Sequence, residues 1–231
     1  MTIQGVHKVA VVDDNPDDRE LLVWAVEEAG FEPVIIDSVP SDIDATVIRL
    51  RSVADGLVCD HQLRWGNFAQ FDGAELAARC FSARLPTVLV TAFLMDSDAS
   101  IRVHRRRIPG FVPRAEVDGD SLHRALTMCV DELSDSPHRE RVPWPALVRV
   151  QRVSVGPDGT VLDVVVPQWN PRLYVRIPLS SLTTGVIVED PSLLVGRRFL
   201  AKVNTAAETE ADLYFEDFED AGEVPSEEEL Q

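Results

Sequence analysis

The strongest constraint on this chain is an alternation that runs through its first 133 residues. Short apolar runs of strand-forming residues are each followed by a stretch with helical spacing. Val9 to Val12 precedes a helix over 16–30, Pro33 to Asp37 one over 42–52, and Gly56 to Cys59 one over 72–84. Thr87 to Thr91 precedes a basic helix over 98–107, and Gly110 to Pro113 precedes a last helix over 121–133. Strands that read as continuous apolar runs suit a parallel sheet covered on both faces. Five such βα units predict an α/β fold. Right-handed crossovers then gather the carboxyl ends of the strands at one edge, the edge at which open α/β sheets bind ligands.

The helices carry the expected signals. In the first, Pro16 suits the opening turn, and Asp17, Asp18 and Glu20 complement its positive dipole end. Leu21, Leu22, Ala25, Val26 and Ala29 form its apolar stripe, and Gly30 ends it. Leu76, Ala77, Cys80 and Phe81 point inward from the third helix, and Leu122, Ala125, Leu126, Cys129 and Val130 from the last.

The strand ends hold the chemistry. The first strand stops at two adjacent acids, Asp13 and Asp14, before Asn15-Pro16. The third ends at Asp60, the fourth at the hydroxyl of Thr91 and the fifth at Arg114. For the Asp13-Asp14 pair, two readings stand: Asp14 caps the helix while Asp13 is solvated, or both serve a cation. Three carboxylates gathered with no cation repel one another, and hard oxygen ligands suit Mg²⁺. The later strand ends favour the cation. A central carboxylate beside a metal and a fixed positive charge suits a phosphoryl acceptor, with Thr91 placed to donate to a transferred oxygen.

Composition bounds the partners. The net charge of −17 opposes general nucleic-acid binding. Cys59, Cys80 and Cys129 are an odd number in apolar contexts, which reads as reduced core thiols in a cytoplasmic protein. No apolar run is long enough to cross a bilayer, and the first residues lack the order of a signal peptide.

Residues 8–133 resemble the receiver domain of two-component response regulators. The resemblance is carried by Asp13-Asp14 after an apolar strand, Asp60 at the end of the third, Thr91-Ala92 after the fourth, and Phe111 three residues before Arg114. It implies a flavodoxin-like, doubly wound sheet of order 2-1-3-4-5. It implies that Asp60 accepts a phosphoryl group from a histidine kinase or phosphotransfer protein, with Thr91 and Arg114 assisting. Asp13, Asp14, Asp60 and the Gln62 carbonyl would hold Mg²⁺, and Thr91 and Phe111 would be the switch pair. Arg114 stands where the family has lysine, and Ala115 where proline usually follows. The loop after Asp60 is longer and carries Trp65 and Phe68. Trp65 reads either as a residue packed on the sheet edge or as a cover for the site. By the same resemblance Gln62 and Phe93 would govern hydrolysis, and an apolar Phe93 implies slow self-dephosphorylation. Phe93→Glu should accelerate it.

The cluster Arg102, His104, Arg105, Arg106 and Arg107 reads as a solvated helix end or as a partner surface. By the resemblance, the face built from the fourth helix, fifth strand and last helix is the signalling one, with the acidic C-terminal region one candidate to meet it.

These readings give a receiver over 1–134, a linker over 135–145 with Trp144 as a possible anchor, a small β-barrel output domain over 146–220 and an acidic tail over 221–231. About six strands are expected in the barrel: Leu147 to Val155, Val161 to Val166, Leu173 to Ile177, Gly185 to Val188, Arg198 to Val203 and Asp212 to Phe218. From residue 142 onward 7 cations face 15 acids, and neither a helix-turn-helix nor a catalytic motif is present. The expected function is a non-enzymatic response regulator whose output acts by protein contact, with a partner protein or a second copy. Two alternatives are a nucleic-acid-binding regulator using an OB-like barrel with Arg149, Arg176, Arg198, Tyr174 and Trp169, and a receiver that is never phosphorylated.

Overall fold

The computed structural model describes residues 3, 5–92, 99–156, 159–182 and 190–221. Chain contacts divide it into two compact units: Met1–Leu94 with Arg107–His138, and Met95–Arg106 with Arg139–Gln231.

The first unit is built on strands β1 (Lys8–Val12), β2 (Glu32–Ile35), β3 (Gly56–Asp60), β4 (Thr87–Thr91) and β5 (Gly110–Pro113). All pair in parallel, in the order β2-β1-β3-β4-β5, so the sheet is flavodoxin-like. Helices α1 (Pro16–Glu28), α2 (Ile43–Val53), α3 (Gly73–Ser82) and α5 (Gly119–Leu133) cover it. Side-chain alternation along the strands separates two cores. Val9 and Val11 of β1 join Leu22 and Val26 of α1 and Leu122 and Leu126 of α5. Ala10 and Val12, one residue out of phase, join Leu50 of α2 and Leu76 and Cys80 of α3. The inner strands β1, β3 and β4 are therefore buried on both faces, which is why they read as unbroken apolar runs.

Two details of the first helix differ from the sequence reading. Leu21 is 54% exposed. It lies beside the core position Leu22, but the helix turns about 100° per residue, which carries it off the buried face. Asn15, not Asp14, is the N-cap of α1, its side chain accepting from the Asp17 amide at 3.1 Å.

The second unit contains strands β6 (Trp144–Gly156), β7 (Gly159–Val166), β8 (Asn170–Pro178), β9 (Arg198–Val203) and β10 (Phe215–Asp220). They form a separate antiparallel sheet of order β10-β9-β6-β7-β8. Its pattern is one-sided: Phe199, Ala201 and Val203 are buried while Leu200 and Lys202 face out. Five strands lie among the described residues; the one expected over 185–188 lies outside them. Trp144 opens β6 and is 59% exposed, so it does not anchor a linker by burial. A short helix, α4 (Ala99–His104), with the turn Arg105–Arg107 after it, follows the fourth strand in sequence. Its contacts place it in this second unit. Among the described residues no helix is long and apolar enough to cross a membrane.

Candidate functional site

The carboxyl ends of β1 and β3 lie on neighbouring strands, Val12 pairing with Cys59, so the acids that follow are brought side by side. Asp13, Asp14 and Asp60 each offer a carboxylate oxygen within 4.8 Å of the others. Asp13 is 1% and Asp60 8% exposed. Thr91, buried at the end of β4, lies one strand further along, where Asp60 pairs with Val90. β5 adds Phe111, half-buried, and delivers Arg114.

Arg114 closes the group. Its Nη2 donates to Asp13 Oδ2 at 2.8 Å and to Asp60 Oδ1 at 2.5 Å. Its Nη1 stands 3.4 Å from Asp18 Oδ1. The remaining oxygens of the two acids are held by the backbone: the Asn15 amide donates to Asp13 Oδ1 at 2.9 Å, and the Gln62 amide to Asp60 Oδ2 at 2.7 Å. Arg19 Nη1 reaches the Asp13 carbonyl at 3.4 Å. Burial pushes the Asp13 carboxyl up from its ordinary value; hydrogen bonds from Arg114 and the Asn15 amide oppose this, and the Asp60 charge adds to it. For Arg114 burial works against the charge, but the bonds to Asp13 and Asp60 prevail and its pKa rises.

Asp18, Arg19 and Gly73 belong to this site as well. The first two lie in the opening turn of α1, which starts directly after the acid pair and therefore overlies the same sheet edge. Gly73 opens α3, and its amide donates to the His61 carbonyl at 2.7 Å. A Cβ at this position would stand 1.7 Å from the Asp60 carbonyl oxygen. Only a residue without a side chain lets the helix approach the strand end so closely. The only sequence signal for it was a glycine directly after Asp72 at a helix start.

Three hard oxygen donors at this spacing suit Mg²⁺, so the donor set fits the metal expected from the resemblance. Gln62 adds its amide to the site through Asp60. The side chain of Trp65, and Phe93, lie outside the described residues.

The basic cluster is where the sequence reading needs correction. Arg102 and Arg105 are not a solvated helix end: their side chains are 1% and 2% exposed, paired with Glu210 and Asp212. Two members of the aromatic-basic patch expected on the second unit, Trp169 and Arg176, are engaged with other groups. The Trp169 indole donates to the Ala207 carbonyl at 2.9 Å and packs on the core. Arg176 and Arg152 both face Asp163, at 3.7 and 3.8 Å, Arg197 pairs with Asp220, and Lys202 with Asp217 at 2.7 Å.

The first unit is thus a flavodoxin-like α/β fold with an acid cluster at the carboxyl edge of its sheet. No protein-family model and no curated protein matches the chain. Solved structures do, and receiver domains are among them. The response regulator receiver domain protein from Clostridium thermocellum is 13% identical over 56% of this chain and 98% of its own, with a TM-score of 0.43. The signal receiver domain of an HD domain-containing protein from Pseudomonas fluorescens Pf-5 is 16% identical over 58% of this chain and 94% of its own, with a TM-score of 0.43. The response regulator protein TrrA from Thermotoga maritima, solved in complex with Mg²⁺-BeF, is 22% identical over 46% of this chain and 85% of its own, with a TM-score of 0.36.

Proposed function

We propose that the chain is a receiver-type signalling regulator, not an enzyme in the ordinary sense, and that Asp60 is its phosphoacceptor. The observation that carries this is the convergence of Asp13, Asp14 and Asp60 within 4.8 Å at the sheet edge, with Arg114 bound directly to Asp60. An Asp60 carboxylate oxygen would attack the phosphorus of a phosphohistidine or small acyl phosphate. The bond to the donor breaks, and the donor leaves with the electron pair. Arg114 balances the charge of the transferred oxygens, and the Thr91 hydroxyl donates to one of them. Asp13, Asp14, Asp60 and the Gln62 carbonyl would hold Mg²⁺, which would supply further neutralisation of the transferred oxygens. Thr91 and Phe111 act as the switch pair.

On this reading the protein works in the cytoplasm with a histidine kinase or phosphotransfer protein. Its second unit acts by protein contact. Nucleic acid is a poorer partner, because the cations of that unit are largely paired with acids. One observation favours a second reading, a constitutive module that is never phosphorylated: Arg114 already bridges Asp13 and Asp60. Treatment with acetyl phosphate and Mg²⁺ separates the two. A phosphoryl mass gain lost in Asp60→Asn supports the acceptor; no gain in the wild type supports the constitutive module.

A further inference from the structure

The arginines of the fourth helix and of the turn after it find their partners more than a hundred residues away. Arg102 Nη1 donates to the carbonyls of Glu210 at 2.5 Å and Leu213 at 2.9 Å, and its Nη2 to Glu210 Oε1 at 2.9 Å. Arg105 Nε donates to the Ala211 carbonyl at 2.9 Å and its Nη2 to Asp212 Oδ1 at 2.7 Å. Arg106 Nε donates to Glu216 Oε2 at 3.2 Å, and its guanidinium lies 5.2 Å from the Tyr214 ring centroid. Arg141 grips the same segment by its backbone, donating to the carbonyls of Arg105 at 3.3 Å and Arg106 at 2.6 Å. Its guanidinium lies 4.7 Å from the Tyr214 ring, whose hydroxyl donates to the Arg141 carbonyl at 2.5 Å.

The acceptors are set out to suit guanidinium. Three of them are backbone carbonyls, fixed in direction: Arg102 Nη1 meets those of Glu210 and Leu213 and Arg105 Nε that of Ala211, while the Nη2 of each arginine reaches a carboxylate. A lysine ammonium, a compact point charge, cannot span them. The strip that provides them is itself held: buried Asn204 donates to the carbonyls of Glu140 at 2.9 Å and Asp212 at 3.0 Å, and accepts from the Tyr214 amide at 2.8 Å. Burial pushes the Arg105 guanidinium down to about 10, with Arg141 adding to this and Asp212 opposing it, so the segment stays charged at neutral pH.

We infer that the strip Glu210–Glu216 is an arginine-specific docking site whose occupant is residues 99–106 of the same chain, held there whatever the state of Asp60. The fourth-helix arginines are then unavailable as a surface for a second copy or an external partner. The independence from Asp60 rests on the phosphoacceptor reading; the docking itself does not.

Hydrogen exchange on the full chain tests the docking site. Arg105→Lys keeps the charge and loses the fork. It should raise exchange roughly tenfold or more in both 99–106 and 210–220, while β1 and β3 change less than about twofold. Exchange like that of the wild type, or loosening confined to 99–106, overturns the inference. Should Arg105→Lys fail to fold, Arg106→Lys at the half-exposed Glu216 pair gives the same readout at smaller amplitude. A second arm repeats the wild-type measurement after acetyl phosphate. Unchanged protection of 99–106 in protein that has gained the phosphoryl mass supports constitutive capture, and a rise overturns it. No mass gain counts against the phosphoacceptor reading, and the lysine variants then decide the docking site alone.

Discussion

Arg114 Nη2 and Asp60 Oδ1 stand 2.5 Å apart, and the same nitrogen reaches Asp13 Oδ2 at 2.8 Å. One guanidinium thus relieves the repulsion between two buried acids at the end of adjacent strands. Arg114→Ala leaves that repulsion uncompensated and should destabilise the protein by about 3 kcal/mol in chelator-treated buffer. Mg²⁺ should recover more stability in the variant than in the wild type, because ligand binding to the folded state adds stability by mass action. Urea unfolding with and without Mg²⁺ measures this, and an equal Mg²⁺ response in both proteins would contradict it.

Gly73 touches the Asp60 backbone. Gly73→Ala places a methyl group against the Asp60 carbonyl and must push α3 off the strand end. We expect a loss of about 1–3 kcal/mol from overpacking, together with slower labelling of Asp60 by acetyl phosphate. Labelling at the wild-type rate would show that the close approach does not position the acceptor.

Tyr214 is fully buried and its hydroxyl meets the Arg141 carbonyl. Tyr214→Phe removes the donor while keeping the ring and should cost about 1 kcal/mol. Tyr214→Ala also removes the ring between two guanidinium groups and should cost about 3–5 kcal/mol. Equal losses in chemical denaturation would mean that ring packing contributes little.

Burial pushes the Cys80 thiol up to about 12, and Cys59 rises for the same reason. A thiol raised in the folded state favours its neutral form there. Its contribution is fully present below the unfolded pKa, about 8.5, and is lost as pH rises toward the folded value. Stability should therefore fall above about pH 9, by about 1.4 kcal/mol per pH unit for each such thiol. Cys80→Ala should flatten that slope. An unchanged slope in the variant would assign the alkaline loss to other groups.

Much of the first unit was legible in the chain because its signals are local. The run Val9–Val12 is apolar at every position, as a strand covered on both faces must be, and the acids directly after it inherit the sheet edge. Asp60, Thr91 and Arg114 follow by the same logic, since a parallel sheet aligns strand ends whatever the helices between them. The helix cap was harder to place. Asn15 and Asp14 are both good caps, and only the backbone turn after β1 decides which side chain meets the Asp17 amide. Gly73 was missed because its role is steric and lies against Asp60, thirteen residues away.

By itself the sequence determined the βα alternation, the sheet-edge positions of Asp13, Asp14, Asp60, Thr91 and Arg114, and the β character of the second unit. Hydrophobic periodicity and chain connectivity suffice for these. The tertiary structure alone decided where the charges of Arg102, Arg105 and Arg106 go. On the sequence they look like a solvated helix end, because their acceptors at 210–216 are distant in the chain and half of them are backbone carbonyls, which every sequence has and no residue type reveals.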